Sequence, residues 1–392
     1  MNGRERLLRT LGGGRADRVP IAPFLYYNAV YEMFDYVPEV ATFFDPPDFD
    51  VIEKFVEYCD RFGFDVMHSL GSVWDYWAAR STQAERTLLE SREDWDVAVS
   101  DEARGGDVRR TVVFSTPGGQ LRLVEVYQRT SKYLIVCAPE EYLIKTPADL
   151  DLVERYMPKP DAMDCSLVRR ARAATGDRGL VASCTNGAFN QAATFRNVES
   201  LMTDPYADDG FYRSLLDFFT RWAIERNRQL VASGADVIEV AGNLAGSAVG
   251  PSFFRTYVME YEKRIIDGIH EAGVPMIYHN CGTASRILAA YNEMAIDCLG
   301  YLVPPPFGDV DLDEALRVLR PEMALRGNID QVEFLVTATP VEVRERVRDV
   351  LERAMPRGNL VLSTTDFFFD GTPYANIEAF SAAGREYGTY HG

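Results

Sequence analysis

Short apolar runs alternate with longer amphipathic stretches along most of the chain. The first run lies within residues 15–27, and seven others occupy 64–69, 179–184, 236–241, 274–279, 295–301, 322–326 and 359–363. Helical patterns of ten or more residues separate most of them, for example at 211–232, 252–271 and 340–355. Because strands joined by helical crossovers pair in parallel, eight such units predict a closed TIM (β/α)8 barrel.

One stretch departs from this alternation. Residues 111–115, 120–127 and 133–137 show the period of two that is typical of strands, around a Thr-Pro-Gly-Gly turn. They predict an antiparallel β-meander inserted at about 107–142, as a lid or an oligomer contact. An open doubly wound sheet is the alternative, but no G-x-G-x-x-G motif follows any of the runs. We therefore predict an α/β fold, with one TIM-barrel domain over residues 1–392 that carries this insertion.

The charge of the chain argues against two classes of partner. Its 392 residues carry a net charge of −18, whereas nucleic-acid binding depends on Lys and Arg that displace counterions. The same charge disfavours an anionic membrane surface. No run approaches the roughly 20 apolar residues that cross a bilayer, and the chain begins with a short amphipathic pattern. We expect a cytoplasmic protein without nucleic-acid or membrane partners.

A histidine and a cysteine two residues apart are the most specific chemical feature. His279 and Cys281 stand in the segment Y-H-N-C-G at the end of the predicted fifth strand. Alternate residues of an extended segment point to the same side, so both side chains can reach one metal ion. Catalytic groups of TIM barrels gather at the C-terminal ends of the strands. The other five cysteines are scattered, and we expect them to be small core residues.

Two carboxylates from other strand ends can complete that site. Glu239 lies in an apolar run at the end of the predicted fourth strand, and Asp366 follows the eighth. An unpaired buried charge is costly, and a metal ion would satisfy Glu239. The sequence predicts Glu239, His279, Cys281 and Asp366 as metal ligands, and the first three as catalytic residues. The alternatives are a salt bridge from Glu239 to a barrel arginine, core packing of His279 and Cys281, and a capping role for Asp366.

Aromatic and amide side chains follow several predicted strands and can line a pocket. They are Tyr26 and Tyr27 after the first strand, Trp74, Tyr76 and Trp77 after the second, Asn186 and Asn190 after the third, Phe307 after the sixth, and Phe367 to Phe369 after the eighth. Apolar walls with a few polar anchors suit a small organic ligand or a corrinoid. We predict Tyr27, Asn186 and Phe307 as cofactor-binding residues, with rim packing and helix capping as the alternatives.

Several segments, spread nearly from end to end, carry a family resemblance. They are R-E-R-L-L at 4–8, D-R-V-P at 17–20, H-N-C-G at 279–282, G-N-I-D at 327–330, T-P-Y-A-N-I at 372–377 and R-E-Y-G at 385–388. Together they resemble the uroporphyrinogen decarboxylase superfamily. Within it, the H-x-C segment is similar to that of the methylcobamide:thiol methyltransferases. That likeness implies a catalytic zinc held by His279, Cys281 and a second, later cysteine, and it suggests a homodimer.

The chain departs from both branches of that superfamily. Decarboxylases carry an Arg-rich R-x-x-G-R segment after the first strand, where this chain reads F-L-Y-Y-N at 24–28. In the methyltransferases the late cysteine precedes a Thr-Pro pair by six positions, which here is Asp366. A carboxylate donates less charge than a thiolate, so a zinc ion held by Asp366 would be more Lewis-acidic and would suit an oxygen or nitrogen ligand.

These features favour a zinc- and corrinoid-dependent methyltransferase that demethylates a small O-methyl substrate, an aryl methyl ether for example, or an N-methyl substrate. The chain contains no D-x-H-x-x-G segment that ligates cobalt, so the corrinoid is expected on a separate carrier protein. One alternative is a methylcobamide:thiol methyltransferase. Another is a metal-free decarboxylase or lyase, and a third is a tetrapyrrole-binding protein without turnover.

Overall fold

Parallel strands form a curved sheet in the computed structural model, which describes residues 1–40, 49–70 and 87–390. In chain order, the described strands are β1 (Val66–Leu70), β2 (Asp96–Arg104), β3 (Asp107–Thr116), β4 (Gly119–Arg129), β5 (Ile135–Glu141), β6 (Gly179–Asn186), β7 (Val237–Ala241), β8 (Met276–His279), β9 (Cys298–Tyr301), β10 (Ala324–Ile329) and β11 (Leu360–Thr364). Seven of them form this sheet in the order β1-β6-β7-β8-β9-β10-β11, and each lies parallel to its neighbours.

An extended segment around Ile21 closes this sheet into a barrel. The Ala22 N–H donates to the carbonyl oxygen of Leu362 in β11 at 3.0 Å. On the other side, the Asp65 N–H beside β1 donates to the Ile21 carbonyl at 2.8 Å. The segment therefore completes a ring of eight parallel barrel segments, which we call staves, and the predicted TIM barrel is confirmed.

The interior of the barrel is filled with small and branched apolar side chains. Residues from the staves form one buried cluster that also takes in Leu7 and Leu11 of the N-terminal helix. That helix begins with a capping box in which Asn2 and Glu5 satisfy each other's backbone N–H groups. These apolar side chains fill the barrel interior towards the N-terminal ends of the strands. Polar side chains that face one another are found towards the C-terminal ends.

Helices cover the barrel and largely match the predicted pattern. In chain order they are α1 (Gly3–Leu11), α2 (Tyr27–Met33), α3 (Val51–Phe62), α4 (Pro147–Tyr156), α5 (Ser166–Thr175), α6 (Ala188–Phe195), α7 (Val198–Ala207), α8 (Asp209–Ala232), α9 (Gly250–Phe253), α10 (Met259–Glu271), α11 (Leu288–Tyr291), α12 (Leu312–Val318), α13 (Phe334–Thr337), α14 (Pro340–Ala354) and α15 (Tyr374–Tyr387). The helix predicted at 252–271 is interrupted by a π-helical turn, Phe254–Val258, between α9 and α10. Among the described residues, no helix is long and apolar enough to cross a bilayer.

The inserted element is a four-stranded antiparallel sheet in the order β2-β3-β4-β5. Three of its strands match the predicted meander, and β2 extends the element further towards the N-terminus than the sequence pattern indicated. Most β2 residues are exposed, so this strand lacks the alternation of apolar and polar residues that marks a half-buried strand. A two-residue turn at Gly105 and Gly106, both with positive φ, joins β2 to β3.

Candidate active site

A buried carboxylate forms the centre of the candidate site. Glu239 in β7 is 1 % exposed, and protein groups from the next three strands contact both of its oxygens. Arg326 Nη1 in β10 donates to Oε2 at 2.9 Å, and the Tyr301 hydroxyl in β9 donates to Oε1 at 2.7 Å. His279 Nδ1 in β8 lies 2.6 Å from Oε1. These four side chains can meet because β7 to β10 are consecutive parallel strands, although the register pairs Glu239 with Ile277 and His279 with Ala241.

The charge of Glu239 is maintained by its neighbours. Burial alone would raise the pKa of this carboxyl, but the buried Arg326 guanidinium and the hydrogen bond from His279 lower the pKa to about 2. Arg326 is itself fully buried, so each charge lacks water and depends on the other. Glu239 is therefore ionised at neutral pH and can only accept hydrogen bonds.

This carboxylate determines how His279 presents its ring. An ionised Glu239 can only accept, so Nδ1 carries a proton and donates to it, which leaves Nε2 as the ring nitrogen available to another group. The rings of Phe24 and Tyr301 pack edge-on against the imidazole, at 5.5 and 4.6 Å between centroids. His279 Nε2 is buried and has no hydrogen-bond partner in the part of the chain that the structure describes. A carboxylate at one ring nitrogen and no protein partner at the other is the arrangement found in metal-binding histidines.

The Cys281 and Asp366 side chains contact each other, and Asp366 is near enough to His279 for the imidazole to affect its pKa. The two side chains are partly exposed, and the Cys281 thiol hydrogen-bonds the Asp366 carboxylate. Burial, and then the Asp366 charge, raise the pKa of the Cys281 thiol well above its usual range. Burial also raises the pKa of Asp366, although the neighbouring His279 and the Phe367 N–H oppose the shift. Across the described ranges, no three His, Cys, Asp or Glu side chains are arranged as a ready metal site.

Glu239 occupies a different place from the other three predicted ligands. Arg326, Tyr301 and His279 hydrogen-bond its two oxygens, so it contacts the Nδ1 atom of the imidazole and not the Nε2 atom. The barrel arginine that we considered as an alternative partner for Glu239 is thus present. Arg326 was not among the predicted site residues, although an arginine within an apolar run indicates a buried partner of opposite charge as clearly as Glu239 does.

The predicted cofactor-binding residues are dispersed. The Tyr27 ring packs against Tyr31 and Phe55, both at 6.3 Å between centroids. Asn186 is buried at the end of β6, where its carbonyl accepts a hydrogen bond from Arg226. Phe307 lies on the surface, with 46 % of its side chain exposed. Trp74, Tyr76 and Trp77 lie outside the described residues.

An apolar wall borders Cys281. Its buried members are Phe24, Cys184, Tyr301, Val303 and Phe367, and Tyr26, Leu134, Cys281 and Phe369 pack against them while remaining partly exposed. Within this wall, the Phe367 ring lies 5.4 Å from that of Tyr26 and 5.3 Å from that of Phe369. The site thus combines a polar group of His, Cys and Asp with an aromatic surface that suits an apolar ligand.

Comparison with known proteins gives a consistent picture. Residues 138–387 match the family model described as Uroporphyrinogen decarboxylase (URO-D). The chain is 30% identical over 154 residues to a uroporphyrinogen decarboxylase of Nocardia farcinica, which is 39% of this chain and 42% of that protein. It is 26% identical over 176 residues to a methylcobamide:CoM methyltransferase of Methanosarcina mazei, which is 44% of this chain and 49% of that protein. The chain thus spans about half the length of these curated relatives or less.

A solved structure shares the fold over almost the whole chain. It is a methyltransferase from Methanosarcina mazei, with a TM-score of 0.70 and 16% sequence identity over 98% of this chain and 99% of that one. At this identity the likeness shows the fold. The curated relatives include both decarboxylases and methyltransferases. Only the residues of the site can therefore distinguish between the two activities.

Proposed function

The chain belongs to the uroporphyrinogen decarboxylase family, and from that membership we propose that it is a zinc- and corrinoid-dependent methyltransferase that demethylates a small O-methyl or N-methyl substrate. One observation carries the proposal. His279 Nδ1 contacts the ionised Glu239, its Nε2 is buried without a hydrogen-bond partner among the described residues, and the neighbouring Asp366 carboxylate hydrogen-bonds the Cys281 thiol. The similarity to a methylcobamide:CoM methyltransferase supports the same activity class.

The proposed ligands of a zinc ion are His279 Nε2, Cys281 Sγ and the Asp366 carboxylate. Nitrogen, sulfur and oxygen donors of these types are what zinc takes in proteins, and a catalytic site needs three of them and one open position. When bound, zinc would polarise the heteroatom that carries the methyl group and stabilise the charge left on it. For such a site to form, the proton shared by Cys281 and Asp366 has to leave.

Glu239 and Arg326 act behind the site as positioning residues. Glu239 holds the proton on Nδ1 and fixes the ring plane, which makes Nε2 a better donor. Arg326 keeps that carboxylate ionised in a region without water. The two therefore prepare His279 before any ligand arrives.

The region after the first stave argues against decarboxylation of a porphyrinogen. An enzyme of that kind would need cations there to bind the substrate carboxylates, whereas Phe24 places a buried aromatic ring against His279. An apolar substrate body fits this wall better than a polyanion does. Asp366 supports demethylation as the direction of transfer. A carboxylate in place of a second thiolate favours a zinc ligand with an oxygen or nitrogen heteroatom, such as an O-methyl or N-methyl substrate, over a thiol.

The metal content of the purified protein tests this proposal. We expect about one zinc per chain in the wild type, in line with a single three-ligand site, and loss of the metal in Cys281→Ala and in Asp366→Ala. Cys137→Ala is the matched control, since this partly exposed thiol lies in the inserted sheet. Absence of zinc from wild-type protein prepared with zinc and without chelators would refute the metal site and favour the metal-free decarboxylase or lyase.

A pair of assays tests the direction of transfer. One supplies cob(I)alamin with a methoxybenzene, and the other supplies methylcobalamin with a thiol. Formation of methylcobalamin in the first assay supports demethylation, with a corrinoid carrier protein as the expected partner. Consumption of methylcobalamin in the second assay alone would assign thiol methylation instead. Tight corrinoid binding without turnover in either would indicate a binding protein.

A further inference from the structure

The turn between β4 and β5 of the inserted sheet reaches the mouth of the candidate site. Residues 130–134 form this turn, which the Thr130 N–H closes by donating to the Leu134 carbonyl at 3.0 Å. Leu134 is partly exposed and packs against the same apolar wall that Cys281 packs against. The inserted sheet thus contributes a side chain to a site otherwise built from the barrel.

A single carboxylate fastens this turn to the barrel. Asp370 Oδ2 accepts hydrogen bonds from the Tyr133 N–H at 2.8 Å and from the Ser131 hydroxyl at 2.5 Å. Its Oδ1 accepts one from Asn28 Nδ2 in α2 at 2.9 Å. Asp370 therefore joins the turn, the loop after β11 and the helix after the first stave.

Two further contacts hold the turn from the side of α2. Asp35 accepts hydrogen bonds from Lys132 Nζ and from the Tyr133 hydroxyl, both at 2.8 Å. Asp35 is 78% exposed, so these bonds compete with water and contribute less than those to the partly buried Asp370.

The loop that contains Asp370 also contains Asp366 of the candidate site. Asp366 lies four residues before Asp370, and Phe367 and Phe369 of the apolar wall lie between them. The position of the turn and the position of the wall are therefore coupled through one short segment.

We propose that this turn limits the size of the apolar group that the site accepts: Leu134 closes the wall near Cys281, and Asp370 is a positioning residue that holds the turn there. The identity of the ligand as a small methylated molecule rests on the proposed function, but the steric limit is a property of the wall itself. Ligands with a broad apolar body are excluded because a packed wall yields little to extra volume.

Thiol labelling of the full chain, dialysed against EDTA, tests the steric limit. The probes are methyl methanethiosulfonate and the bulkier benzyl methanethiosulfonate, and peptide mass spectrometry reads the two rates at Cys281. In the wild type we expect the benzyl reagent to label Cys281 at least about tenfold more slowly than the methyl reagent does. In Leu134→Ala we expect this ratio of methyl to benzyl labelling rates to fall about fivefold, because the packed wall opens. The ratio at Cys137 serves as the internal control and should stay constant.

An unchanged ratio at Cys281 in Leu134→Ala, or no labelling of Cys281 in either protein, overturns the proposal. Labelling by the benzyl reagent that appears only in the variant supports it. Leu134→Val gives an intermediate ratio if Leu134 sets the limit, and it serves if the alanine variant does not fold.

Hydrogen exchange tests the role of Asp370. In Asp370→Asn, the new amide group faces the N–H and hydroxyl donors of the turn, and we expect amides 130–134 to exchange about tenfold faster. Asp101→Asn is the matched control, because it removes an ion pair with Arg110 elsewhere in the same sheet. Equal exchange in the two variants overturns the role of Asp370. Neither measurement needs zinc or turnover, so their failure is distinguishable from failure of the proposed function.

Discussion

Two glutamates are equally buried in this protein and have opposite charge states. Glu239 in β7 and Glu262 in α10 are each 1 % exposed. Glu239 contacts Arg326, a tyrosine hydroxyl and an imidazole. The Glu262 side chain packs against the N-terminal end of α6, where its Oε1 accepts a weak hydrogen bond from the Phe189 N–H at 3.5 Å.

The pKa values of these carboxyls show what burial does with and without a cation. Burial raises the pKa of Glu262 to about 8, and the backbone N–H groups of Phe189 and Ala188 oppose this only in part. Burial is also the largest single effect on Glu239, but Arg326, His279 and Tyr301 together outweigh it and the pKa falls to about 2. Whether a buried carboxyl is ionised therefore depends on the groups that contact it and not on burial alone.

The two carboxyls consequently make folding depend on pH in opposite directions. The folded pKa of Glu239 is lower than in an unfolded chain, so its contribution to stability is present above roughly pH 4.3 and is lost as the pH falls towards 2. The folded pKa of Glu262 is higher, so its contribution is present below roughly pH 4.3 and is lost as the pH rises through about 8.

Arg326→Met should have the largest effect, because it would leave the Glu239 carboxyl buried without a cation, as Glu262 is. We expect the free energy of unfolding at pH 7 to fall by roughly 3–5 kcal/mol, measured by urea denaturation. The control is the double variant Arg326→Met with Glu239→Gln, which removes both charges and should recover part of the loss. Equal stabilities of the single and double variants would contradict the coupling.

Glu262→Gln should have a smaller effect of the opposite sign. The variant cannot ionise, so it should gain about 1–3 kcal/mol over the wild type at pH 9 and little at pH 4. Calorimetric melting at the two pH values measures this difference. Glu260→Gln, an exposed position on the same helix, is the matched control. A gain that is the same at both pH values would show that the pKa of Glu262 is not raised.

Tyr301→Phe should have the smallest effect. It removes one hydrogen bond to Glu239 and should cost about 1 kcal/mol of unfolding free energy, with the midpoint of acid unfolding moved to higher pH. Tyr212→Phe is the control, because the Tyr212 hydroxyl donates to a backbone carbonyl that does not titrate in this range. The control should lose similar stability without a shift in the acid midpoint, and a shift in both would argue against a specific effect on Glu239.

Local patterns were sufficient to predict most of the fold. All eight predicted strand positions coincide with staves of the barrel, and two of the three long helices were placed within a few residues. The exceptions have physical causes. β2 is exposed along its length and so carries no period of two, and the π-helical turn before α10 leaves no mark on an amphipathic pattern.

The candidate site could be predicted only in part. The spacing of His279 and Cys281 and the position of Asp366 after the last strand could be predicted, because side-chain alternation and the positions of strands along the chain are local properties. Tyr27 and Phe307 were named from their positions after strands, and the direction of an aromatic ring in a loop depends on what packs against it.

The sequence by itself determined the staves, the helices and the residue types that can bind a metal. The tertiary structure decided which groups meet. Arg326 lies 87 residues from Glu239 along the chain and still sets its charge state, and Asp370 lies 237 residues from the Tyr133 amide that it holds. Such partners are brought together by the closure of parallel staves and the docking of the inserted sheet. Side-chain periodicity carries no record of contacts at these separations, because it reports only which face of an element is buried.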